Sequence, residues 1–414
     1  MNFMNKIFRG DRVIWMVFLL LCLISIVEVY SASSRLTFRT DYWKPILHHS
    51  VFLLAGVVVV LGVHVIPSRY FSIIGILLPA AIILLVCARI IGEPINESYR
   101  EIKLFGIRFQ PAEIAKLCLI VFVAFVLSKR KNTQDDKSFE WIVIATIVTC
   151  AIIMFINGSG STGIILFGIV YLMLFIGQIP FKKMLYLTLG LLTAVVLMVA
   201  IIQAIPDQTL RAHAPKVLVW KMRISTFFSG EKDAVNNAQR PITTNEYLSL
   251  SQEEYALIAI AEGGVRPFGK LPGNSDQRDF LPNAYDDFIY AIIIEEMGLI
   301  GGLAVLFLYL ILFIRAGIIA NRSEKPFSKF LVMGAALILV TQALTNMAVA
   351  VGLIPVTGQT LPLVSKGGTS ILITCVYFGM ILSVSEFENP EGIKREEAIN
   401  EEFMEDEEAA ENNH

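Results

Sequence analysis

The chain has 414 residues, of which 55% are hydrophobic, 17% are charged, and the formal net charge is −2. Soluble domains carry about 25% charged residues, and a soluble chain of this length normally divides into several domains that each need a polar surface. The composition therefore excludes a water-soluble enzyme, a nucleic-acid-binding protein and a disordered chain, and it leaves a polytopic membrane protein.

Long apolar runs recur along the sequence from Val13 to Val384. A membrane-spanning helix needs about 20 mostly apolar residues. The sequence therefore predicts an all-α polytopic membrane protein with about ten transmembrane helices. The predicted spans are residues 13–32, 46–66, 71–91, 111–128, 141–156, 162–179, 184–205, 287–314, 330–351 and 369–385.

Basic residues predict the orientation of these spans, because Lys and Arg concentrate in short cytoplasmic loops. If the N-terminus is inside, each inner loop is short and basic. The basic residues of these loops are Arg69, Lys129, Arg130, Lys131, Lys137, Lys182, Lys183, Arg315, Arg322, Lys325 and Lys329. Both termini are therefore expected in the cytoplasm.

The chain then divides into a cytoplasmic N-terminus (1–12), a transmembrane domain (13–385) and an acidic tail (386–414). The tail has twelve acidic and two basic residues and no apolar periodicity. We expect it to be mostly disordered, either as a solvated segment or as a docking segment. The five cysteines all lie inside apolar runs and are expected to be packing residues.

One outer connection, about residues 206–286 between helices 7 and 8, is far longer than the others. Loops of this length usually carry function. Its segment 216–228 mixes basic residues, Trp220 and aliphatic residues, which is typical of a helix on the membrane surface. The later segment 263–282 is rich in Pro and Gly and is expected to be irregular.

Polar residues inside or beside spans are costly, which makes them candidates for function. The first group runs from Arg100 to Lys116. Pro111 suits the first turn of a helix, and Glu113 and Lys116 share a helix face because they are three residues apart. This pair is either a buried ion pair that fixes packing or part of a polar wall at the outer mouth of a cavity.

The second group is Asp286 and Asp287, which follow Pro282 and precede an apolar run, as at a helix start. Asp286 is expected to cap the helix or face solvent. Asp287 would lie at the edge of the bilayer, where the helix dipole favours its charged form and desolvation opposes it. This balance suits a general base. Glu295 and Glu296 lie about two turns deeper and are expected to bond neighbouring helices.

The third group is residues 352–370, where two prolines and several glycines in an apolar setting indicate a broken or re-entrant segment. A tight turn between spans is the alternative. Its backbone N–H groups and polar side chains suit an anion. The polar side chains are Ser365, Lys366, Thr369 and Ser370. A fourth group, 157–162, is small and polar and is weak evidence alone.

All four groups fall on the predicted outer side of the membrane. ATP and nucleotide sugars are absent there, so any reaction needs a substrate that carries its own activated leaving group. The sequence contains no Walker loop, no dinucleotide fingerprint and no dense His/Cys cluster for zinc.

Three ordered motifs resemble the shape, elongation, division and sporulation (SEDS) family, whose members include FtsW, RodA and SpoVE. They are residues 109–116 (FQPAEIAK), residues 281–298 around Asp287, and residues 355–370. The resemblance covers about residues 12–386. Within the family, the chain is most similar to the division branch, FtsW, of the Bacteroidetes type.

The resemblance implies a peptidoglycan glycosyltransferase that polymerises lipid II on the outer face of the cytoplasmic membrane during cell division. It also implies an inverting-type transfer with undecaprenyl pyrophosphate as the leaving group. The essential aspartate of the family matches Asp287. Its arginine before the fourth helix matches Arg100, and the basic residues of its long loop match Arg223, Lys270 and Arg278.

The chain departs from the family pattern at three places. Glu101 replaces the usual Trp, residues 158–162 lack the acidic residue of the PDLGT-like motif, and Lys366 replaces the tyrosine of SYGGS. None of these departures affects Asp287.

In this interpretation Asp287 accepts the proton of the acceptor hydroxyl, which is worth roughly 10²–10⁴-fold in rate. Cations would meet the pyrophosphate, and Mg²⁺ or another divalent cation is an alternative to protein side chains. The candidate substrate-binding residues are Arg100, Glu113, Lys116, Arg223, Lys270, Arg278, Ser365, Lys366, Thr369 and Ser370. The expected partners are a class B penicillin-binding transpeptidase similar to FtsI and other division membrane proteins, at the septum of the inner membrane.

Two other functions stay open. A lipid II flippase needs polar groups that are reachable from both faces. The short inner loops favour the polymerase over it, whereas Glu28 and His64 inside predicted spans are compatible with transport. A non-catalytic division scaffold would act through its helices and acidic tail, and it is favoured if Asp287→Asn leaves polymer formation intact.

Overall fold

The computed structural model describes residues 8–33, 44–91, 102–104, 107–130, 137–156, 160–206, 221, 252–277 and 287–387. The acidic tail beyond Phe387 lies outside these ranges, as does the predicted surface helix at 216–228 apart from Lys221. The predicted disorder of the tail and the predicted surface helix therefore stay predictions.

The described residues form helices joined by short connections, with one small β-hairpin. The helices are α1 (Arg12–Ser33), α2 (Lys44–Val63), α3 (Ser72–Ile76), α4 (Leu78–Ile91), α5 (Pro111–Ser128), α6 (Ser138–Ala151), α7 (Gly160–Ile176), α8 (Phe181–Ala204), α9 (Gln252–Gly264), α10 (Ile289–Arg322), α11 (Pro326–Ala350) and α12 (Gly368–Phe387). A 3₁₀ turn, Ser68–Phe71, precedes α3, and a π-helical turn, Ile152–Ile156, follows α6. Strands β1 (Ile102–Leu104) and β2 (Ile107–Phe109) pair antiparallel, and β2 packs on α12.

Each of the ten predicted spans contains a helix. Among the described residues, six helices are long and apolar enough to cross a membrane: α1, α5, α8, α10, α11 and α12. α2 and Ser68–Ile76 form a pair bent by 116°, and three further apolar helices have 10–17 residues. The polytopic helical membrane fold is confirmed, and the total of ten crossings stays a prediction.

The first and last residues of the transmembrane domain meet at one end of the helix bundle, which we call the basic end. The Gly10 N–H donates to Glu386 Oε2 at 3.0 Å, and Arg315 Nε donates to Asp11 Oδ2 at 2.6 Å. Other predicted inner loops contact one another in the same way. Ser68 Oγ lies 2.8 Å from Ser328 Oγ, Ser383 Oγ donates to the Ile66 carbonyl, and the ring centroids of Phe125 and Phe327 are 6.3 Å apart. Arg130 Nη1 donates to the Gly177 carbonyl at 2.7 Å, and Lys183 Nζ donates to Glu140 Oε1 at 2.9 Å. The described basic residues of these loops are Arg69, Lys129, Arg130, Lys137, Lys182, Lys183, Arg315, Arg322, Lys325 and Lys329. The predicted inner loops therefore share one end of the molecule, as the orientation argument requires.

The opposite end, which we call the re-entrant end, contains Ser31, Gln110, Gly160, Asp287 and residues 351–367. Its parts are joined by hydrogen bonds between elements that are far apart in sequence. Ser161 Oγ donates to the Thr357 carbonyl at 2.7 Å, and the Gln110 N–H donates to Thr369 Oγ1 at 3.4 Å. The polar segments that the sequence places on one side of the membrane do meet at one end of the bundle.

α10 is two helices that meet at a break. Gly298 has φ 72° and ψ −176°, a conformation that is essentially reserved for glycine. Tyr290 Oη donates to the Gly302 carbonyl at 3.1 Å, although twelve residues of straight helix span about 18 Å. The chain therefore folds back at Gly298, and the prediction of one continuous span over 287–314 is wrong at this point.

The residues before the break, 289–297, form what we call the α10 arm. Residues Ile289 to Glu296 are all buried, with exposed fractions between 0% and 6%. α9 packs against the arm so closely that a Cβ atom on Gly263 would lie 2.0 Å from the Ile294 carbonyl oxygen. The arm is thus buried in the bundle, and the half-buried Asp287 lies just before it.

Candidate functional site

Residues 351–367 cross the re-entrant end without helix or strand. Gly352 and Gly358 have φ values of 72° and 68°, and Leu363 also has a positive φ of 64°. Residues Leu361 to Ser365 are buried. The prolines and glycines of this segment therefore do produce the predicted irregular backbone, which we call the re-entrant segment.

Buried carbonyl groups of the re-entrant segment are bound by side chains of the helices around it. Tyr309 Oη of α10 donates to the Pro362 carbonyl at 2.5 Å, and Ser25 Oγ of α1 donates to the Val364 carbonyl at 3.0 Å. Within the segment, the Leu361 N–H donates to Ser365 Oγ at 2.8 Å. Irregular backbone at membrane depth needs such partners, because no water is present to bind it.

His49 on α2 completes the contact between Ser25 and the segment. Its Nε2 lies 2.8 Å from Ser25 Oγ, and its ring is 3% exposed. Because Ser25 uses its only hydrogen on Val364, His49 Nε2 must be the donor, which assigns the tautomer. Sequence reasoning missed His49, and its only signal is a histidine pair at the start of an apolar run.

Asp287 lies half-buried at the start of the α10 arm. Asn346 Nδ2 on α11 donates to the Asp287 carbonyl at 2.9 Å and to the Gln359 carbonyl at 2.8 Å. Gln359 Nε2 in turn donates to Thr162 Oγ1 of α7 at 2.7 Å. The candidate base is therefore tied through its backbone to the re-entrant segment and to α7.

Glu113 and Lys116 form a salt bridge of 2.6 Å on the first turns of α5. The Lys116 side chain is 3% exposed and the Glu113 side chain 17%. This is the buried ion pair that the three-residue spacing allows. Gln110, which directly precedes this helix, contacts Thr369, so the first and third motifs are neighbours.

Lys270 is bound by three carboxylates. Its Nζ lies 2.9 Å from Glu295 Oε1 and 2.8 Å from Asp276 Oδ2, and it also bonds Glu262. Burial lowers the pKa of Lys270, but the hydrogen bonds to Asp276, Glu262 and Glu295 outweigh it and raise the pKa above its usual value. The amine is therefore a stable cation at the centre of an acidic group.

These three carboxylates, Glu262, Asp276 and Glu295, are the one group of metal-ligand type that converges within the described ranges. Lys270 already occupies their common centre, so the group does not fit a divalent cation while the lysine is bound. A role for Mg²⁺ or another divalent cation therefore stays a prediction, and the described part of the chain assigns it no site.

Glu296 bonds a neighbouring helix, as the sequence predicts, whereas Glu295 bonds the chain that follows α9. Glu295 Oε2 accepts a hydrogen bond from Ser275 Oγ at 2.5 Å, and its Oε1 accepts one from the Asp276 N–H at 2.8 Å. Glu296 Oε1 accepts hydrogen bonds from Ser31 Oγ of α1 and from the Ser275 N–H. The arm is thus joined to both α1 and the chain that follows α9.

Only some of the predicted site residues lie within the described ranges. Arg100, Arg223 and Arg278 lie outside the described residues, so their roles stay predictions. Ser365, Lys366, Thr369 and Ser370 lie together at the end of the re-entrant segment and the start of α12. Ser365 serves the backbone of its own segment through the Leu361 N–H. Ser25, His49, Asn346 and Gln359 are buried polar residues around the re-entrant segment that sequence reasoning did not single out.

Comparison with known proteins gives matches along nearly the whole chain. The model of the FtsW/RodA/SpoVE family, described as cell cycle protein, matches residues 11–390. A probable peptidoglycan glycosyltransferase FtsW of Halomonas elongata is 32% identical over 389 residues, 91% of this chain and 90% of that protein. The protein of the same description in Saccharophagus degradans is also 32% identical, over 89% of this chain and 92% of that protein.

Two solved structures share the fold. A chain of a peptidoglycan synthase complex that coordinates polymerization and crosslinking superposes with a TM-score of 0.71 and 21% identity, over 92% of this chain and 99% of that chain. The rod shape determining protein RodA of Thermus thermophilus superposes with a TM-score of 0.63 and 20% identity, over 92% of this chain and 97% of that chain. The similarity to a Bacteroidetes subtype stays a prediction. From the extent of the family match and the identity to these relatives, we conclude that the chain belongs to the FtsW/RodA/SpoVE family of cell cycle proteins.

Proposed function

We propose that this chain is a peptidoglycan glycosyltransferase that polymerises lipid II into glycan strands during cell division. The names of its relatives and the fold of a peptidoglycan synthase complex support this function. The observation that carries it is the position of Asp287 at the re-entrant end, where its main-chain carbonyl accepts a partly buried hydrogen bond from Asn346 Nδ2. An ionisable residue beside membrane-spanning helices is costly and suits a chemical task.

In the proposed reaction, the oxygen of the acceptor sugar hydroxyl attacks the anomeric carbon of the donor. The bond from that carbon to the pyrophosphate oxygen breaks, and its electron pair leaves with undecaprenyl pyrophosphate. The hydroxyl proton passes to the Asp287 carboxylate, which acts as general base. Attack from the face opposite the leaving group inverts the configuration at the anomeric carbon.

The leaving group carries negative charge, so cationic and N–H groups are needed near it. We assign this role first to Lys366 and the N–H groups of residues 366–370, because they lie where the irregular backbone meets α12, which packs on α2. Lys116 and Lys270 are bound to carboxylates that offset their positive charges. We therefore expect these two lysines to maintain the structure of the site and not to stabilise the pyrophosphate directly. Arg100, Arg223, Arg278 and a divalent cation are further candidates for this role.

The remaining parts of the proposal concern location and partners. We place the re-entrant end on the outer face of the cytoplasmic membrane, because the basic end fits the cytoplasmic side. A class B penicillin-binding protein similar to FtsI is the proposed partner, and the septum is the proposed location. The structurally similar chain belongs to a peptidoglycan synthase complex that coordinates polymerization and crosslinking, which supports a crosslinking enzyme as the partner.

The test is a polymerisation assay with purified lipid II, with the chain alone and with its cognate transpeptidase, for the wild type and for Asp287→Asn. We expect glycan strands from the wild type and a loss of at least about 100-fold for the folded variant. Equal polymer from both proteins would remove Asp287 as the base. No polymer from either protein would favour a flippase or a scaffold, and a lipid II translocation assay in liposomes would separate those two.

A further inference from the structure

Asn346 lies one turn before the end of α11 and is 1% exposed. Its Nδ2 group donates one hydrogen to the Asp287 carbonyl at 2.9 Å and the other to the Gln359 carbonyl at 2.8 Å. A single side chain therefore fixes two backbone positions, one before the α10 arm and one in the re-entrant segment.

The orientation of the Asn346 amide follows from its neighbours. A flipped amide would place Oδ1 against two carbonyl oxygens, which repel it, so the nitrogen must face them. Oδ1 is then buried, and none of the described residues gives it a hydrogen bond. An unsatisfied buried oxygen lowers the stability of the fold. The fold thus accepts this loss of stability and keeps both amide hydrogens bonded to the carbonyls of Asp287 and Gln359.

The same point of the fold is also tied to α7. Gln359 Nε2 donates to Thr162 Oγ1 at 2.7 Å, and Ser161 Oγ donates to the Thr357 carbonyl at 2.7 Å. Asn346 therefore connects the backbone of Asp287 to a segment that is itself held from the other side. A shift of either carbonyl would move the start of the α10 arm.

We propose that Asn346 is a positioning residue for Asp287, which sets the place of the carboxylate by holding its main-chain carbonyl. The inference rests on the proposed function, in which Asp287 is the base. A displacement of about 1 Å in a reacting group costs about 10²-fold in rate, so one hydrogen bond at this position has a large effect on turnover. Asn346 does not bind substrate in this account, so substrate affinity should change little.

The test variant is Asn346→Asp, which has nearly the same shape and presents oxygen where both donors were. We expect kcat for lipid II polymerisation to fall about 10- to 100-fold while KM stays within about threefold. The matched control is Thr345→Val on the same helix, which removes only a bond from Thr345 Oγ1 to the Thr341 carbonyl, 2.7 Å long. The control is expected to polymerise at the wild-type rate.

Asn346→Ser keeps one donor, and it provides a second variant if the aspartate prevents folding. Its kcat should lie between the wild-type and Asn346→Asp values. In the double variant Asn346→Asp with Asp287→Asn, no further loss beyond Asp287→Asn is expected, because the positioned group is already inactive. A further loss equal to that of Asn346→Asp alone would contradict a role through Asp287.

Two results would separate this inference from the function it depends on. If a folded Asn346→Asp protein keeps the wild-type kcat while Asp287→Asn is inactive, the positioning role is wrong and the proposed base stands. If Asp287→Asn itself polymerises like the wild type, the proposed base is wrong. A rise in KM without a fall in kcat would place Asn346 in substrate binding and would also overturn the inference.

Discussion

The basic end and the re-entrant end of the molecule are built from the same helices but by different means. At the basic end, short connections carry exposed charges, and the longest-range contacts join polar groups such as Gly10 and Glu386. At the re-entrant end, buried irregular backbone is bound by single side chains from α1, α7, α10 and α11. The re-entrant end is the costlier one to fold, because each buried polar backbone group there needs its own hydrogen-bond partner.

Two lysine–glutamate pairs with the same N–O distance show the same contrast between buried and exposed groups. Lys270 and Glu295 are 2.9 Å apart, and so are Lys183 and Glu140. The first pair has side-chain exposures of 14% and 0%, whereas the second has 39% and 50%. Burial, and not distance, should therefore decide what each pair contributes to stability.

The largest expected effect on stability comes from Gly298→Ala. A Cβ atom there would lie 2.3 Å from the Pro267 carbonyl oxygen, and the φ of 72° is strained for alanine. We expect a loss of about 4 kcal/mol or more, from strain and overpacking together, seen as loss of monodisperse protein in detergent. The matched control is Gly317→Ala on the same α10, where a Cβ atom meets nothing within 4 Å.

Gly317→Ala should raise the free energy of unfolding by about 0.5–1 kcal/mol, because alanine favours helix over glycine. Melting curves that are the same for the two alanine variants would show that the break at Gly298 is not part of the native fold.

The next effect is that of Glu295→Gln compared with Glu140→Gln. The first change removes the charge that faces Lys270 and weakens the hydrogen bonds from Ser275 and Asp276. We expect it to cost about 2–3 kcal/mol, whereas the exposed pair should change stability by about 0.5 kcal/mol or less. Thermal unfolding of both variants in the same detergent measures the difference. Equal shifts would mean that burial does not distinguish the two ends.

The smallest effect is that of Tyr309→Phe compared with Tyr171→Phe. Tyr309 loses its bond to the buried Pro362 carbonyl, whereas Tyr171 loses an exposed bond of 2.9 Å to Thr188. We expect a loss of about 1–2 kcal/mol for Tyr309→Phe and about 0–0.5 kcal/mol for Tyr171→Phe. Only Tyr309→Phe should also slow polymerisation, because the re-entrant segment loses a contact. A fall in the polymerisation rate for Tyr171→Phe but not for Tyr309→Phe would contradict this role of the Tyr309 contact.

The fold was largely predictable because its signals are local. Each apolar run contains a helix, and the Glu113–Lys116 pair forms because three residues of helix bring both side chains to one face. The break at Gly298 was missed because a glycine inside an apolar run is compatible with a helix. Its conformation depends on residues 266–269, which a single sequence does not bring next to it.

The site was only partly predictable for a related reason. Asp287 and the re-entrant segment stand out because carboxylates, prolines and glycines are unusual in apolar surroundings. Asn346 and Ser25 are ordinary polar residues inside helices, and the carbonyls of Asp287 and Val364 that they bind lie 59 and 339 residues away, respectively. A pattern along the chain carries no information about such pairs, so their roles become visible only when the helices are packed.

The most direct test of the account exchanges a carboxylate for an amide at each end of the molecule. Asp11→Asn changes the basic end, where Asp11 caps α1 and binds Arg315, and asparagine can still serve as the cap. Asp287→Asn changes the re-entrant end. The initial rate of lipid II polymerisation is measured for both variants, reconstituted with the same transpeptidase. The account predicts a near-normal rate for Asp11→Asn and at least about a 100-fold loss for Asp287→Asn. Equal rates in the two variants would contradict it.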